Sequence, residues 1–280
     1  MFDTYPPKCV VVGIDGSPAA IRAARWAVDE VAGTDIPLRL LYVAQSISNA
    51  NPVDARAALA AADELVHEAC RAVSEMGTPL KLEAEIIHGQ PVHELIAASR
   101  STPLLCVGDT GPSPQPGAWI GSTAKELALS AHCSVAVIRG SNTAMKGAGY
   151  IVARVDETPD DFDVLDLAIN EALHRHARLQ VVTAPPSRSD DIASDRRRCL
   201  ALDMFLKRLA DDYPDVEIDT ITLRGSFLDY LAEHAASTQL VMLSAARAGE
   251  VRDLLGAPGG RALGGSDVSL LVVGIERPGR

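Results

Sequence analysis

Gly108 and Gly111 stand with two residues between them, and nine more separate Gly111 from the run Gly121-Ser122-Thr123. Glycines let a backbone come close to a ligand and take positive φ. A Gly-Ser-Thr run at a helix start offers N–H groups and hydroxyls where a phosphate is stabilised. The same spacing also suits an ordinary glycine loop with a helix cap. Asp15 and Gly16 follow the apolar run in VVVGIDGS, just as Val107-Gly108 ends the apolar run LLCVG. A carboxylate at 15 can accept from a ribose hydroxyl or an adenine amino group, or it can cap a helix beginning near Pro18. Val43, closing LRLLYV, can offer backbone groups to a base edge or belong to the core.

Other chemistries leave no signature. There is no GxxxxGK[ST] and no GxGxxG after a strand. His93-Glu94 begins like a zinc-protease helix, but Ala97 stands where its second histidine belongs. His174 and His176 are two apart, which on a helix points them in different directions. No serine or cysteine nucleophile has a base identifiable beside it. An ATP-activating enzyme would need a cation at the glycine motif, where only Lys125 is near, a turn inside the helix. No catalytic residue is assigned, and any hydrolysis is expected to be slow.

The elements that must position these residues occur twice. Residues 10–43 align without a gap on 151–184, matching Asp15 with Asp156 and Pro18 with Pro159. Residues 88–111 align on 224–247, matching Gly89 with Gly225 and Leu95 with Leu231. Each half alternates short Val/Ile/Leu runs with amphipathic stretches. In the first half the runs are Cys9–Ile14, Leu38–Ala44, Leu80–Ile87, Leu104–Val107 and Ser134–Ile138. They read as strands covered on both faces. Ser17–Ala32, Asp54–Met76 and Pro91–Ser99 read as helices, the first burying Ile21, Ala24, Val28 and Val31. Ser122 or Thr123 caps a fourth helix ending near Ala131.

This alternation predicts an α/β protein of two tandem doubly wound domains, each a five-stranded, mainly parallel sheet with helices on both faces. The domains are placed at 1–142 and 147–280, with the polar, glycine-rich stretch 140–149 between them. Open α/β sheets bind ligands beyond the carboxyl ends of their strands, at the switch in strand order. Asp15, Val43, Val107 and Gly108 fall at such ends.

Composition narrows the partners. The 280 residues are 47% hydrophobic and 22% charged, enough for a real core. No apolar run reaches the roughly 18 residues of a membrane span, and residues 1–17 do not read as a signal peptide. The net charge of −11 disfavours nucleic acid. The Arg196-Arg197-Arg198 run, with Asp190, Asp191 and Asp195 before it, reads as a solvated helix face. Five cysteines, Cys9, Cys70, Cys106, Cys133 and Cys199, form no CxxC and suit a reducing cytoplasm.

The glycine spacing at Gly108, Gly111, Gly121 and Ser122, with VVVGIDGS and the HGQP turn at 88–91, resembles the universal stress protein family in its tandem form. The resemblance covers nearly the whole chain. It implies an adenine-nucleotide site in the first half. There, residues matching Asp15 and Val43 hold adenosine, while the glycines and Ser122 hold ribose and phosphates. ATP is the expected ligand, with Mg²⁺ bridging its phosphates. It also suggests that the closing strands SVAVIR and SLLVVGI are paired, and it allows a homodimer of tandem chains.

This chain departs from that pattern in two places. Pro112, Pro114 and Pro116 lack N–H donors, and the loop between Gly111 and Gly121 has no Lys or Arg. Trp119 in that loop can cover the site or pack beneath it. In the second half Ser244 and Arg247 replace Gly108 and Gly111, and Ala257-Pro258 replace Gly121-Ser122. A degenerate second site is expected, although Arg247 could reach an anion. A nucleotide-dependent stress regulator with unknown protein partners is the leading reading, and an interaction module that binds no nucleotide is the alternative.

Overall fold

The computed structural model describes residues 8–45, 52–113, 119–140, 149–156, 158–184 and 192–274. Pro114, Pro116, the linker residues 141–148 and the side chains of Asp190, Asp191, Asp195, Arg196–Arg198 and Cys199 lie outside the described residues. The chain divides into two compact units, and along the sequence the division falls between Arg139 and Gly140.

The first unit runs β1 (Val10–Ile14), α1 (Pro18–Val31), β2 (Leu38–Ala44), α2 (Pro52–Ser74), β3 (Leu82–His88), α3 (Pro91–Ala98), β4 (Leu104–Gly108), α4 (Ser122–Ser130) and β5 (Ser134–Ile138). Its strands lie in the order β3-β2-β1-β4-β5, with every pairing parallel. Val10 pairs with Leu38 on one side and Leu104 on the other. Chain order reverses between β1 and β4, so the residues just past those two strands share one crevice.

The second unit repeats the plan with β6 (Tyr150–Val155), α5 (Pro159–Arg175), β7 (Arg178–Thr183), α6 (Ile192–Asp212), β8 (Ile218–Thr222), α7 (Phe227–His234), β9 (Thr238–Ser244), α8 (Ala248–Leu255), α9 (Ala257–Leu263) and β10 (Ser269–Val273). Its parallel order is β10-β9-β6-β7-β8. The tandem doubly wound α/β architecture is present in both units.

Packing in the first unit follows from small side chains. Helix α1 buries Ala19, Ala20, Ala23, Ala24, Trp26, Ala27, Val28 and Val31, while Ile21, expected in the core, is only half-buried. With alanines at its start, α1 settles close to the end of β4. A Cβ added to Gly108 would lie 2.6 Å from the Ala19 carbonyl carbon. The central strands β1 and β4 are deeply buried, as expected of strands with helices on both faces. The edge strand β3 departs from that expectation, because it is half-exposed and carries Glu83 and Glu85. Charges on an edge discourage pairing with another chain.

Candidate functional site

Beyond the carboxyl ends of β1 and β4 lies a cavity of about 730 Å³. Its walls include Asp15, Val43, Val107, Gly108, Gly111, Gly121, Ser122 and Thr123, so all eight residues singled out from the sequence meet there. Its apolar lining comes from Ile14, Leu41, Val43, Pro91 and Leu95. Gly108–Gly111 and the start of α4 line it as well, bringing backbone and hydroxyl groups.

Each polar element is set by local chemistry. The Asp15 carboxylate accepts from the Ser17 N–H at 2.9 Å. The Ser17 hydroxyl, not Asp15, caps α1, accepting from the Ala20 N–H at 3.1 Å and donating to the Thr110 carbonyl at 3.2 Å. The cap of α1 thereby also fixes the glycine loop. At α4 the N-cap is Gly121, with Ser122 as the first helical residue, a correction to the expected Ser122 or Thr123 cap. Gly121 has no side chain to satisfy the first N–H groups, and the first turn contains no acid. Those donors and the helix dipole remain available to an anion.

The motif glycines do not work through positive φ. Among the described glycines positive φ occurs at Gly16, Gly33, Gly77 and Gly140. Gly16, at φ 81°, turns the chain out of β1, and an added Cβ would strike the Leu65 side chain at 2.7 Å. Gly108 is small because α1 lies against it, and a Cβ on Gly111 would come within 3.3 Å of Asp15 Oδ2. Room, rather than dihedral freedom, explains this part of the motif.

Three residues of the site were not singled out from sequence. Asp109 is buried, and its carboxylate accepts from Arg22 Nη2 at 3.1 Å, with Arg139 Nε 3.7 Å from its other oxygen. Its carbonyl accepts from the Gly121 N–H at 2.7 Å. Arg139 donates to the Trp119 carbonyl at 3.3 Å and lies over the Trp119 ring at 5.2 Å. The 119–121 end of the loop is therefore tied to Asp109, through its carbonyl and through Arg139. Trp119 is buried under Arg139 and packs rather than covering the cavity. An acid between two motif glycines was a visible signal; its partners, distant in sequence, gave none.

In the second unit the same positions are wired together. Arg247, matching Gly111, bonds to Asp156, matching Asp15. Asp156 also accepts from the N–H of Ala184, matching Val43, at 3.1 Å, and pairs with Arg154. Arg247 further reaches Asp161 Oδ2 at 3.1 Å and Glu250 Oε1 at 3.4 Å. Burial works to raise the Asp156 pKa, but hydrogen bonds from Arg154 and Arg247 outweigh it and hold the carboxyl below its ordinary value. Three positions that line an open cavity in one unit are bonded to one another in the other, and Arg247 is committed to carboxylates.

His174 and His176 are exposed. Cys9 and Cys106 are buried, and burial pushes the Cys133 thiol up to about 12. Among the described residues, no helix is long and apolar enough to cross a membrane.

Two tandem doubly wound units, the first with a cavity at its switch in strand order, define a duplicated α/β protein of doubly wound architecture. Comparison with known proteins gives the family: its model, the universal stress protein family, matches residues 7–139. Universal stress protein Rv2028c of Mycobacterium tuberculosis is 40% identical over 279 residues, covering 99% of both chains. Universal stress protein Rv2624c of the same species is 34% identical over 270 residues, covering 95% of this chain and 96% of that one. A crystal structure of a universal stress protein from Archaeoglobus fulgidus matches the fold with a TM-score of 0.69 at 16% identity, covering 96% of this chain and 97% of that one. The chain belongs to the universal stress protein family.

Proposed function

We propose that the first unit binds an adenine nucleotide, with ATP and Mg²⁺ as the working pair, and that occupancy regulates the protein in a stress response. Family membership supports a nucleotide-binding role in stress at the level of the family. The observation that carries the finer reading is the convergence of Asp15, Val43 and the glycine motif on one cavity of about 730 Å³. That volume lies within the ~300–1,000 Å³ of small-molecule sites.

The donor set fits the ligand. The apolar side chains of the lining suit a purine, and Asp15 can accept from ribose or from the base. The open N–H groups at the start of α4, with the Ser122 and Thr123 hydroxyls, suit phosphate oxygens. Among the described residues no group of three or more metal-ligating side chains gathers. Mg²⁺ would therefore arrive on the phosphates, as this cation commonly does. It would supply charge neutralisation there.

The role proposed is regulatory rather than catalytic. Among the described lining residues the acids are Asp15 and Asp109; Asp109 is held by Arg22 and Asp15 by a turn. The second unit fits an interaction module, because its equivalent positions are occupied by Arg247, Asp156 and Ala184 bonding among themselves. One nucleotide per chain follows. Titration calorimetry with Mg·ATP tests this: a stoichiometry near one supports it, near two refutes the closed second site, and no heat with any adenine compound refutes the reading.

A further inference from the structure

The cavity has a cation that the loop between Gly111 and Gly121 lacks. Lys125 lines it together with Ser122, Thr123 and Ala124. It sits four residues into α4, but helical side chains lean back toward the N-terminus, so a long lysine stem covers the turn before its own Cα. That lean carries the ammonium to the end where the α4 N–H groups lie open. Lys125 is half-buried and is the one basic residue among the described residues that line the cavity.

The nearby cations are committed elsewhere. Arg22 is paired with Asp109, and Arg139 with Asp109 and Trp119. Residues 112–120 contain no acid that could draw Lys125 away and no base that could share its task. The rest of the lining includes the apolar side chains of Ile14, Leu41, Val43, Pro91 and Leu95, which offer nothing to a phosphate. Within this lining, phosphate charge is matched by the start of α4 and by Lys125.

We propose that Lys125 is the residue by which this cavity selects nucleotides bearing a polyphosphate chain over the nucleoside and the monophosphate. The proposal rests on the adenine-nucleotide reading of the cavity. A nucleoside gives the ammonium nothing to pair with, whereas each added phosphate brings charge that backbone dipoles alone neutralise incompletely. Lys125 contributes a mobile point charge rather than a bidentate clamp, so it senses phosphate charge and leaves recognition of the base unchanged.

The test is calorimetry of wild type, Lys125→Gln and Lys125→Arg with adenosine, AMP, ADP and Mg·ATP, each variant first checked for an unchanged Tm. The expected result is about tenfold weaker Mg·ATP binding in Lys125→Gln, the size of a lost charge-assisted hydrogen bond at a half-open site. Adenosine binding should be unchanged, and Lys125→Arg should restore Mg·ATP to within about threefold, since it keeps the charge. Equal affinity for Mg·ATP in wild type and Lys125→Gln, with adenosine still binding, would overturn the role of Lys125 and leave the site intact. Parallel loss of adenosine and Mg·ATP would show a structural role and overturn it equally. Failure of wild type to bind any of the four overturns the nucleotide reading itself.

Discussion

Arg247 donates a hydrogen bond to Asp156 at the place where, in the first unit, Gly111 leaves room beside Asp15, whose Oδ2 lies 3.3 Å from the position a Cβ on Gly111 would take. One aligned pair of positions is thus open in one unit and bridged in the other. A guanidinium at the motif glycine supplies from within the chain the donors that a ligand would otherwise bring.

Gly111→Arg should convert the first unit to the second unit's arrangement. The new guanidinium should meet Asp15 and fill the space beside it, so Mg·ATP binding should fall by at least about tenfold while the opposite charge keeps the fold intact. Gly111→Glu should lose binding too, with a carboxylate placed against Asp15 and against the phosphates. Calorimetry and thermal melts on both variants check this; unchanged affinity in either would contradict the placement of the cradle.

Gly108→Ala should destabilise the first unit by about 1–3 kcal/mol, the usual cost of overpacking. Its Cβ would meet the backbone of Ala19 and Ala20 at 2.6–2.8 Å, where no side chain can turn aside. Gly121→Ala should change stability little, because its Cβ meets the Asp109 carbonyl oxygen at 3.5 Å, ordinary contact. Urea denaturation of the two variants separates a glycine needed for packing from one needed for ligand approach.

Asp161→Ala should cost the second unit about 3 kcal/mol or more, as removal of one partner from a buried ion pair does. Its Oδ2 accepts from the Asp156 N–H at 2.8 Å, the Thr158 N–H at 2.9 Å and the Thr158 hydroxyl at 2.8 Å, besides Arg247 at 3.1 Å. Removing that carboxylate uncaps the start of α5 and leaves Arg247 with less compensation. A lowered urea midpoint for the full chain is the expected reading.

Acid should loosen the second unit through Asp156. Its folded pKa lies below the ordinary 3.8 because Arg154 and Arg247 outweigh the effect of burial. A depressed carboxylate contributes stability above the unfolded-state value and loses it as pH falls through the folded one. The contribution is therefore present above about pH 4 and disappears on further acidification. Asp156→Asn should be less stable at pH 7 and show a shallower acid limb in thermal melts between pH 2 and 5.

Much of this was readable in the residues. The duplication was visible in the gapless match of 10–43 to 151–184, and the strands in their unbroken Val/Ile/Leu runs. All eight candidate residues line one cavity because they lie near the carboxyl ends of β1, β2 and β4, in the loop after β4 or at the start of α4. What periodicity hid was depth. Ile21 is only half-buried, while Ala19, Ala20, Ala23, Ala24, Trp26 and Ala27 take the buried face of α1. The roles of the glycines were also hidden, because room beside Ala19 or Asp15 depends on partners brought up by the fold. Charge pairings across long separations, such as Arg22 and Arg139 with Asp109, leave no trace in local sequence.

The most direct measurement is to purify the full chain without added nucleotide, denature it and quantify what is released, alongside Gly111→Glu and Arg247→Ala. About one adenine nucleotide per chain, lost in Gly111→Glu and retained in Arg247→Ala, is the result predicted. An empty wild-type protein that also fails to bind added Mg·ATP would contradict the account.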